Sequence, residues 1–195
     1  MKKLVIASSN KGKLKEIKEM LGKYYEIVSA KEIGFDADIE ETGSTFEENS
    51  FIKAKAVFDF CRLPSLADDS GLMVDALGGA PGVFSARYSG EGHTDEQNRK
   101  KLLLEMKDVS DRRAKFVSVI TLIDENGDVF VGTGETKGEI TREEKGNNGF
   151  GYDSLFFSYD LQKTFGQASD EDKNEVSHRS RALADLTKKL WYYKK

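Results

Sequence analysis

Leu4-Val5-Ile6-Ala7, then Ser8-Ser9-Asn10, then Leu14, Ile17, Met20 and Leu21 ahead of Gly22 form the stretch on which the fold turns. Four consecutive apolar residues are the pattern of a buried strand. The polar triplet breaks that strand and offers side chains that cap helices. The apolar residues after it recur at helical spacing over Lys11–Leu21, and Gly22 ends the run. Strand, polar turn and helix in this order open an α/β unit.

Working outward, Tyr25-Glu26-Ile27-Val28 reads as a second strand. Ser44 and Glu47 have the S-x-x-E spacing of a capping box, which predicts a long helix to about Arg62, ended by Pro64. Leu66-Ala67 predicts a short strand that stops at a turn, Asp68-Asp69-Ser70-Gly71. A glycine-rich stretch over 71–92 follows, and Thr94 is placed to cap a helix over 98–106. The runs 114–123 and 129–137 are rich in Val, Ile, Phe and Thr and are joined by Asp124-Glu125-Asn126-Gly127. Asn-Gly between two such runs predicts a long hairpin, the base of a second lobe or a dimer surface. A further strand is predicted over 152–159 and a terminal helix over 177–189. The expectation is one mixed α/β domain, 1–195, with a cleft.

The bulk numbers narrow the function. A formal charge of -4 gives no broad cationic field, so nucleic acid is not the expected partner. A polyanionic ligand would have to be held by a few placed cations or a metal. The lone Cys61 excludes an intramolecular disulfide and a multi-cysteine metal site. The apolar start, Leu4 to Ala7, is much shorter than the roughly 7–15 residues of a secretory core. No segment approaches the roughly 20 apolar residues of a membrane span. The expected location is the cytoplasm, with no membrane partner.

Four polar clusters need a reason. Ser8-Ser9-Asn10-Lys11-Gly12-Lys13 presents backbone N–H groups and lysines at a helix start, an anion site or simply a capped helix. Glu40, Glu41, Glu47 and Glu48 lie before and within the next helix start, as dipole partners or as ligands, with Lys53 on the face of Asn49. Asp68-Asp69 closes an apolar strand with adjacent carboxylates, which are costly unless neutralised. Magnesium, a hard cation with oxygen ligands, would do so; an exposed Asx turn is the plainer alternative. Gly149-Phe150-Gly151-Tyr152-Asp153, with Lys173 and Ser177-His178-Arg179, can set a ring against a base or supply ordinary core aromatics.

These clusters occur in order with Glu41-Thr42-Gly43-Ser44-Thr45-Phe46, Ala67-Asp68-Asp69-Ser70-Gly71-Leu72, Leu77-Gly78-Gly79-Ala80-Pro81-Gly82 and Ser85-Ala86-Arg87-Tyr88. Together they resemble the Ham1/inosine triphosphate pyrophosphatase family, in its bacterial RdgB-like branch, over essentially the whole chain. The resemblance implies hydrolysis of the non-canonical purine nucleoside triphosphates dITP, ITP and XTP to monophosphate and pyrophosphate. It also implies Mg2+ dependence, a homodimer, and an elongated α/β fold whose mixed sheet is flanked by helices, with a central cleft between two lobes. On matching positions, Ser8, Ser9, Asn10, Lys11, Gly12 and Lys13 would hold the triphosphate. Asp69 would bind metal and accept a proton from the attacking water, with Glu41, or its neighbour Glu40, as the second metal carboxylate. Ser70, Lys53 and Lys173 would contact substrate, and Phe150, Gly151, Tyr152, Asp153, His178 and Arg179 would form the base pocket. The chain departs from the family's pattern at Asn148, Ser154 and Gly166-Gln167-Ala168, beside the base pocket and not in the metal site. Two rival readings are a nucleotidyl- or phosphotransferase and a nucleotide sensor without turnover; a sensor needs no water-activating carboxylates.

Overall fold

The computed structural model describes residues 1–90 and 92–193. Glu91, in the glycine-rich stretch 71–92 of the sequence, and Lys194 and Lys195, the last residues of the expected 1–195 domain, lie outside them. The chain divides into two compact units, each assembled from separate segments. The first comprises Met1–Asp69, Ser118–Gly134 and Arg179–Lys195, the second Ser70–Val117 and Glu135–His178.

In chain order the elements are β1 (Lys2–Ile6), α1 (Lys11–Leu21), β2 (Tyr25–Ser29), α2 (Phe46–Cys61), β3 (Ser65–Val74) and α3 (Asp95–Glu105). Then come β4 (Arg113–Ile123), β5 (Val129–Ile140), β6 (Phe156–Ser158), β7 (Lys163–Thr164), α4 (Asp170–Val176) and α5 (His178–Tyr193). The strands form one seven-stranded sheet in the order β2-β1-β3-β4-β5-β6-β7. It is mixed: β1 runs parallel to β2 and β3, while β6 is antiparallel to β5 and β7. This is an open-sheet α/β fold.

The opening run explains the first unit. Successive strand side chains alternate between faces. Leu4 and Ile6 accordingly pack with Ile17 of α1 and Ala182, Leu183 and Leu186 of α5. Val5 and Ala7 pack with Ala54 and Val57 of α2. A strand covered by helices on both faces has no polar side to show, hence four apolar residues in a row. The second unit has its own core, where Leu102 and Met106 of α3 meet Leu72, Val74, Phe116, Phe156 and Phe165.

Several boundaries differ from the sequence expectation. Asp68-Asp69 is not a turn but the middle of β3, which continues to Val74. The α2 capping box is Thr45 with Glu48, one residue later than Ser44 with Glu47. Residues 152–155 form a turn, leaving only Phe156–Ser158 as strand. α5 continues to Tyr193, and α4 has no counterpart in the sequence reading. Between β4 and β5 the chain turns over 124–128, closed by the Asp124 N–H on the Asp128 carbonyl. Gly127 alone there has a positive φ, 87°, so Asn-Gly serves a longer loop than a two-residue hairpin.

Candidate active site

The first unit gathers the phosphate-like cluster and the acidic pair. Asn10 caps α1, its Oδ1 accepting from the Lys13 N–H at 3.0 Å. That cap places Lys13 in the first turn, where its Nζ meets Asp68 Oδ2 at 3.1 Å and donates to the Asp68 carbonyl at 3.3 Å. One turn further along α1, the buried Glu16 carboxylate meets Arg179 Nη1. Arg179, at the start of α5, also grips Asp68 Oδ2 through Nη2 at 2.8 Å and Nε at 3.2 Å. Ser118 of β4 donates to Asp68 Oδ1 at 2.5 Å. Both oxygens of Asp68 are thus engaged by the protein itself.

Asp69 is set differently. Its Oδ1 accepts from Lys53 Nζ at 2.6 Å, and the same ammonium reaches Glu41 Oε1 at 2.8 Å and the Asp68 carbonyl at 3.3 Å. Asp69 Oδ2 is buried and has no hydrogen-bond partner among the described residues. Glu41 reaches Lys53 because the loop before α2 is pinned: the Gly43 N–H donates to Asn49 Oδ1 at 2.8 Å. A Cβ on Gly43 would lie 2.6 Å from that oxygen and from Glu48 Cβ, so the loop closes only with glycine there. Glu40 is exposed and takes no part in the Lys53 contacts.

The electrostatics follow these contacts. Burial opposes ionisation of Asp68 more than any one neighbour favours it, yet Arg179, Lys13 and the Ser118 hydroxyl together hold its carboxyl well below the usual range. Burial lifts the Asp69 carboxyl above the ordinary aspartate value, and Lys53 offsets this only in part. Burial also lowers Lys13, against the pull of Asp68. Lys53 is likewise disfavoured by burial, but Asp69 and Glu41 raise it overall.

These groups are suited to a hard cation. Among the described residues three cationic side chains, Lys13, Lys53 and Arg179, meet four carboxylates, Glu16, Glu41, Asp68 and Asp69, so a cation joining the cluster would balance its charge and leave the lysines able to face phosphate. Asp69 Oδ2 is a buried acceptor without a donor among the described residues, a setting a cation would relieve. No group of three or more His, Cys, Asp or Glu side chains with metal-binding spacing occurs among the described residues. One or two carboxylates completed by phosphate oxygens and water is the coordination magnesium commonly takes.

In the second unit, Lys173 Nζ donates to Asp153 Oδ2 at 2.7 Å, both side chains being almost wholly buried. The same oxygen accepts from the Phe150 N–H at 2.9 Å. The Lys173 ammonium lies 4.9 Å from the Phe150 ring centroid and 5.6 Å from that of Phe165. Gly149 has φ 75°, and a Cβ there would sit 2.0 Å from Asp153 Oδ2. Phe150, Asp153 and Lys173 are therefore one built cluster around a left-handed glycine.

Other predicted residues are placed with different company. Tyr152 is a core residue, with its hydroxyl donating to the Ser85 carbonyl at 2.7 Å. His178 is buried with its ring stacked on Phe116, centroids 4.8 Å apart. Arg179, 1% exposed, has its guanidinium in the carboxylates of Asp68 and Glu16. Ser9 and Lys11 are exposed, Ser8 and Gly12 half-buried, and Ser8 Oγ accepts from the Asn10 N–H at 3.2 Å. Ser70 follows Asp69 along β3, half-buried, and Gly151 is half-buried between Phe150 and Tyr152. Glu16 and Ser118 escaped the sequence reading. Glu16 stands three residues after Lys13, a helical neighbour, which is a usable signal; Ser118 carried none.

The chain is similar to known proteins over nearly its whole length. The sequence model of the Ham1 family matches residues 4–189. A dITP/XTP pyrophosphatase of Clostridium perfringens is 46% identical over 199 residues, covering 97% of this chain and 98% of that protein. A dITP/XTP pyrophosphatase of Haemophilus ducreyi is 48% identical over 193 residues, covering 96% and 98%. The solved Staphylococcus aureus Ham1 protein superposes with a TM-score of 0.87 at 43% identity, covering 100% of each chain. A HAM1 protein from Coxiella burnetii gives 0.87 at 43% identity, covering 98% of this chain and 100% of its own. With the sequence matched from β1 into α5 and the backbone matched throughout, the chain belongs to the Ham1 family.

Proposed function

We propose that this chain is a nucleoside triphosphate pyrophosphatase, which hydrolyses non-canonical purine nucleoside triphosphates (dITP, ITP and XTP) to the monophosphate and pyrophosphate. The observation that carries the reading is Asp69: a buried carboxylate, one oxygen on Lys53, the other without a partner among the described residues. That second oxygen, an acceptor buried without a donor among the described residues, is open to a proton from water. In the proposed reaction Asp69 takes a proton from the water that attacks the α-phosphorus, and pyrophosphate leaves. Asp69 and Glu41 are the residues assigned to hold Mg2+, with Glu40 outside that set. Bound there, the ion would screen the charge of the phosphates and acidify water.

The chain's own groups do the rest. The Asp68 carboxylate is paired with Arg179 and Lys13, and its backbone carbonyl orients the ammonium groups of Lys13 and Lys53. Ser8, Ser9, Asn10, Lys11, Gly12, Lys13, Lys53 and Ser70 are assigned to the triphosphate, with Lys173 also contacting substrate. Phe150, Gly151 and Asp153 are assigned to the purine, Phe150 by stacking. Tyr152 and His178 support that segment from the core, and Arg179 acts through Asp68. A backbone N–H that rewards a 6-oxo group leaves adenine's amine unmatched, which is how a site rejects an analogue strongly. The reading takes 1–195 as one functional domain, since the family match spans both units, and places it as a homodimer in the cytoplasm. No helix of the described residues is long and apolar enough to cross a membrane.

The test is product analysis of dITP, ITP, XTP, GTP and ATP with purified protein and Mg2+. Monophosphate and pyrophosphate in equal amounts from the first three, with slow turnover of GTP and ATP, is expected. Equal rates on ATP and GTP, or transfer to an acceptor, would overturn it. Light scattering of the same preparation checks the dimer.

A further inference from the structure

The Phe150 segment is a loop between two left-handed glycines, Gly149 at φ 75° and Gly151 at φ 59°. Glycine gives a backbone little intrinsic preference, so such a loop keeps one shape only if something outside it holds its peptide groups. Asp153 holds one of them, the Phe150 N–H. The next is held from α3. The Gly151 N–H donates to Asp95 Oδ2 at 2.9 Å, and the Gly151 carbonyl accepts from Arg99 Nη1 at 2.9 Å. Asp95 and Arg99 are four residues apart, on one face of α3. They therefore clamp both ends of a single residue. Arg99 is fixed in turn: its Nε donates to Glu144 Oε2 at 2.9 Å, and Ser154 Oγ donates to that same oxygen at 2.9 Å.

We propose that Asp95 and Arg99 are positioning residues for base recognition, with Glu144 and Ser154 holding Arg99 in register, and that through Gly151 they set the orientation of the Phe150 ring. This rests on the assignment of Phe150 to the purine. The four side chains form a chain of hydrogen bonds that ends on the backbone of the recognition loop, and none of them belongs to the Asp69 cluster. A ring displaced by about 1 Å stacks poorly and discriminates poorly, while phosphate chemistry elsewhere keeps its own groups. The expected signature is a change in purine binding with little change in turnover.

The experiment compares wild type with Asp95→Ala, Arg99→Ala, Arg99→Lys and Ser154→Ala. It measures kcat and KM for ITP and GTP with Mg2+, inhibition by IMP and by inorganic pyrophosphate, and the melting midpoint. For the alanine variants at 95 and 99, KM for ITP and the inhibition constant of IMP rise about 10-fold, with kcat within about 3-fold. Inhibition by pyrophosphate stays within about 2-fold, and preference for ITP over GTP falls. Arg99→Lys, which keeps the charge but can make only part of the fork, lies between. Ser154→Ala, the mildest change, shifts IMP binding about 2-fold even if a larger truncation fails to fold. Unchanged IMP inhibition in every folded variant, or equal loss of IMP and pyrophosphate binding, would overturn the proposal. Failure of the wild type to hydrolyse ITP would instead overturn the functional reading beneath it.

Discussion

Asp68 and Asp69 stand next to each other on β3, so their side chains leave opposite faces and meet different partners. Asp69→Asn keeps the shape and removes the proton acceptor. Turnover of ITP falls at least about 100-fold while the melting curve stays near wild type, as kinetics and circular dichroism on one preparation would check. Asp68→Asn works through stability. Removing one partner of a buried ion cluster costs about 3–5 kcal/mol, read from urea unfolding near neutral pH. The folded carboxyl titrates below its unfolded value of about 3.9, so its contribution is present above that value and is lost as pH falls through the folded one. The gap between the two proteins' unfolding free energies therefore narrows in acid; a gap that widened would refute the assignment. The carboxylate pair was legible as residues needing a cation. That Asp68 takes its cations from Lys13 and Arg179 was not, because Arg179 lies 111 positions away along the chain.

At the scale of elements, helix ends and close approaches decide the site. Thr45 caps α2 with Glu48, and that helix start carries the loop holding Glu41. Thr45→Ala is expected to cost about 1 kcal/mol in urea unfolding. β5 and α5 approach so closely at Gly132 that a Cβ would lie 2.3 Å from the Ala182 carbonyl and 2.6 Å from Leu186 Cβ. Gly132→Ala should destabilise by about 1–3 kcal/mol, with α5 and its Arg179 displaced; an unchanged midpoint would show that the helix yields freely. The α2 capping box was anticipated one residue early, because Ser44 and Thr45 are both good caps and two glutamates follow in register. Sequence spacing alone does not choose between them. The strand through Asp68-Asp69 was cut short because paired carboxylates read as a turn when their neutralising partners are out of sight.

For the molecule as a whole, the prediction concerns the metal. Stripping divalent cations with a chelator should abolish hydrolysis of ITP and added Mg2+ should restore it, followed by pyrophosphate release. Activity unaffected by chelation would leave the Asp69–Glu41 pair without its proposed partner. The sequence by itself determined the α/β class, since a strand packed on both faces must be apolar throughout and a helix must repeat at its own period. It also determined which polar clusters called for a function, because carboxylates in an apolar run and glycines around an aromatic ring are costly without one. Only the tertiary structure decided the division of labour: Asp68 to the buried cations, Asp69 to Lys53, Tyr152 to the core, Arg99 and Asp95 to Gly151. Local patterns record burial and period, whereas the partner of a charge is chosen by distance in space between segments far apart in the chain.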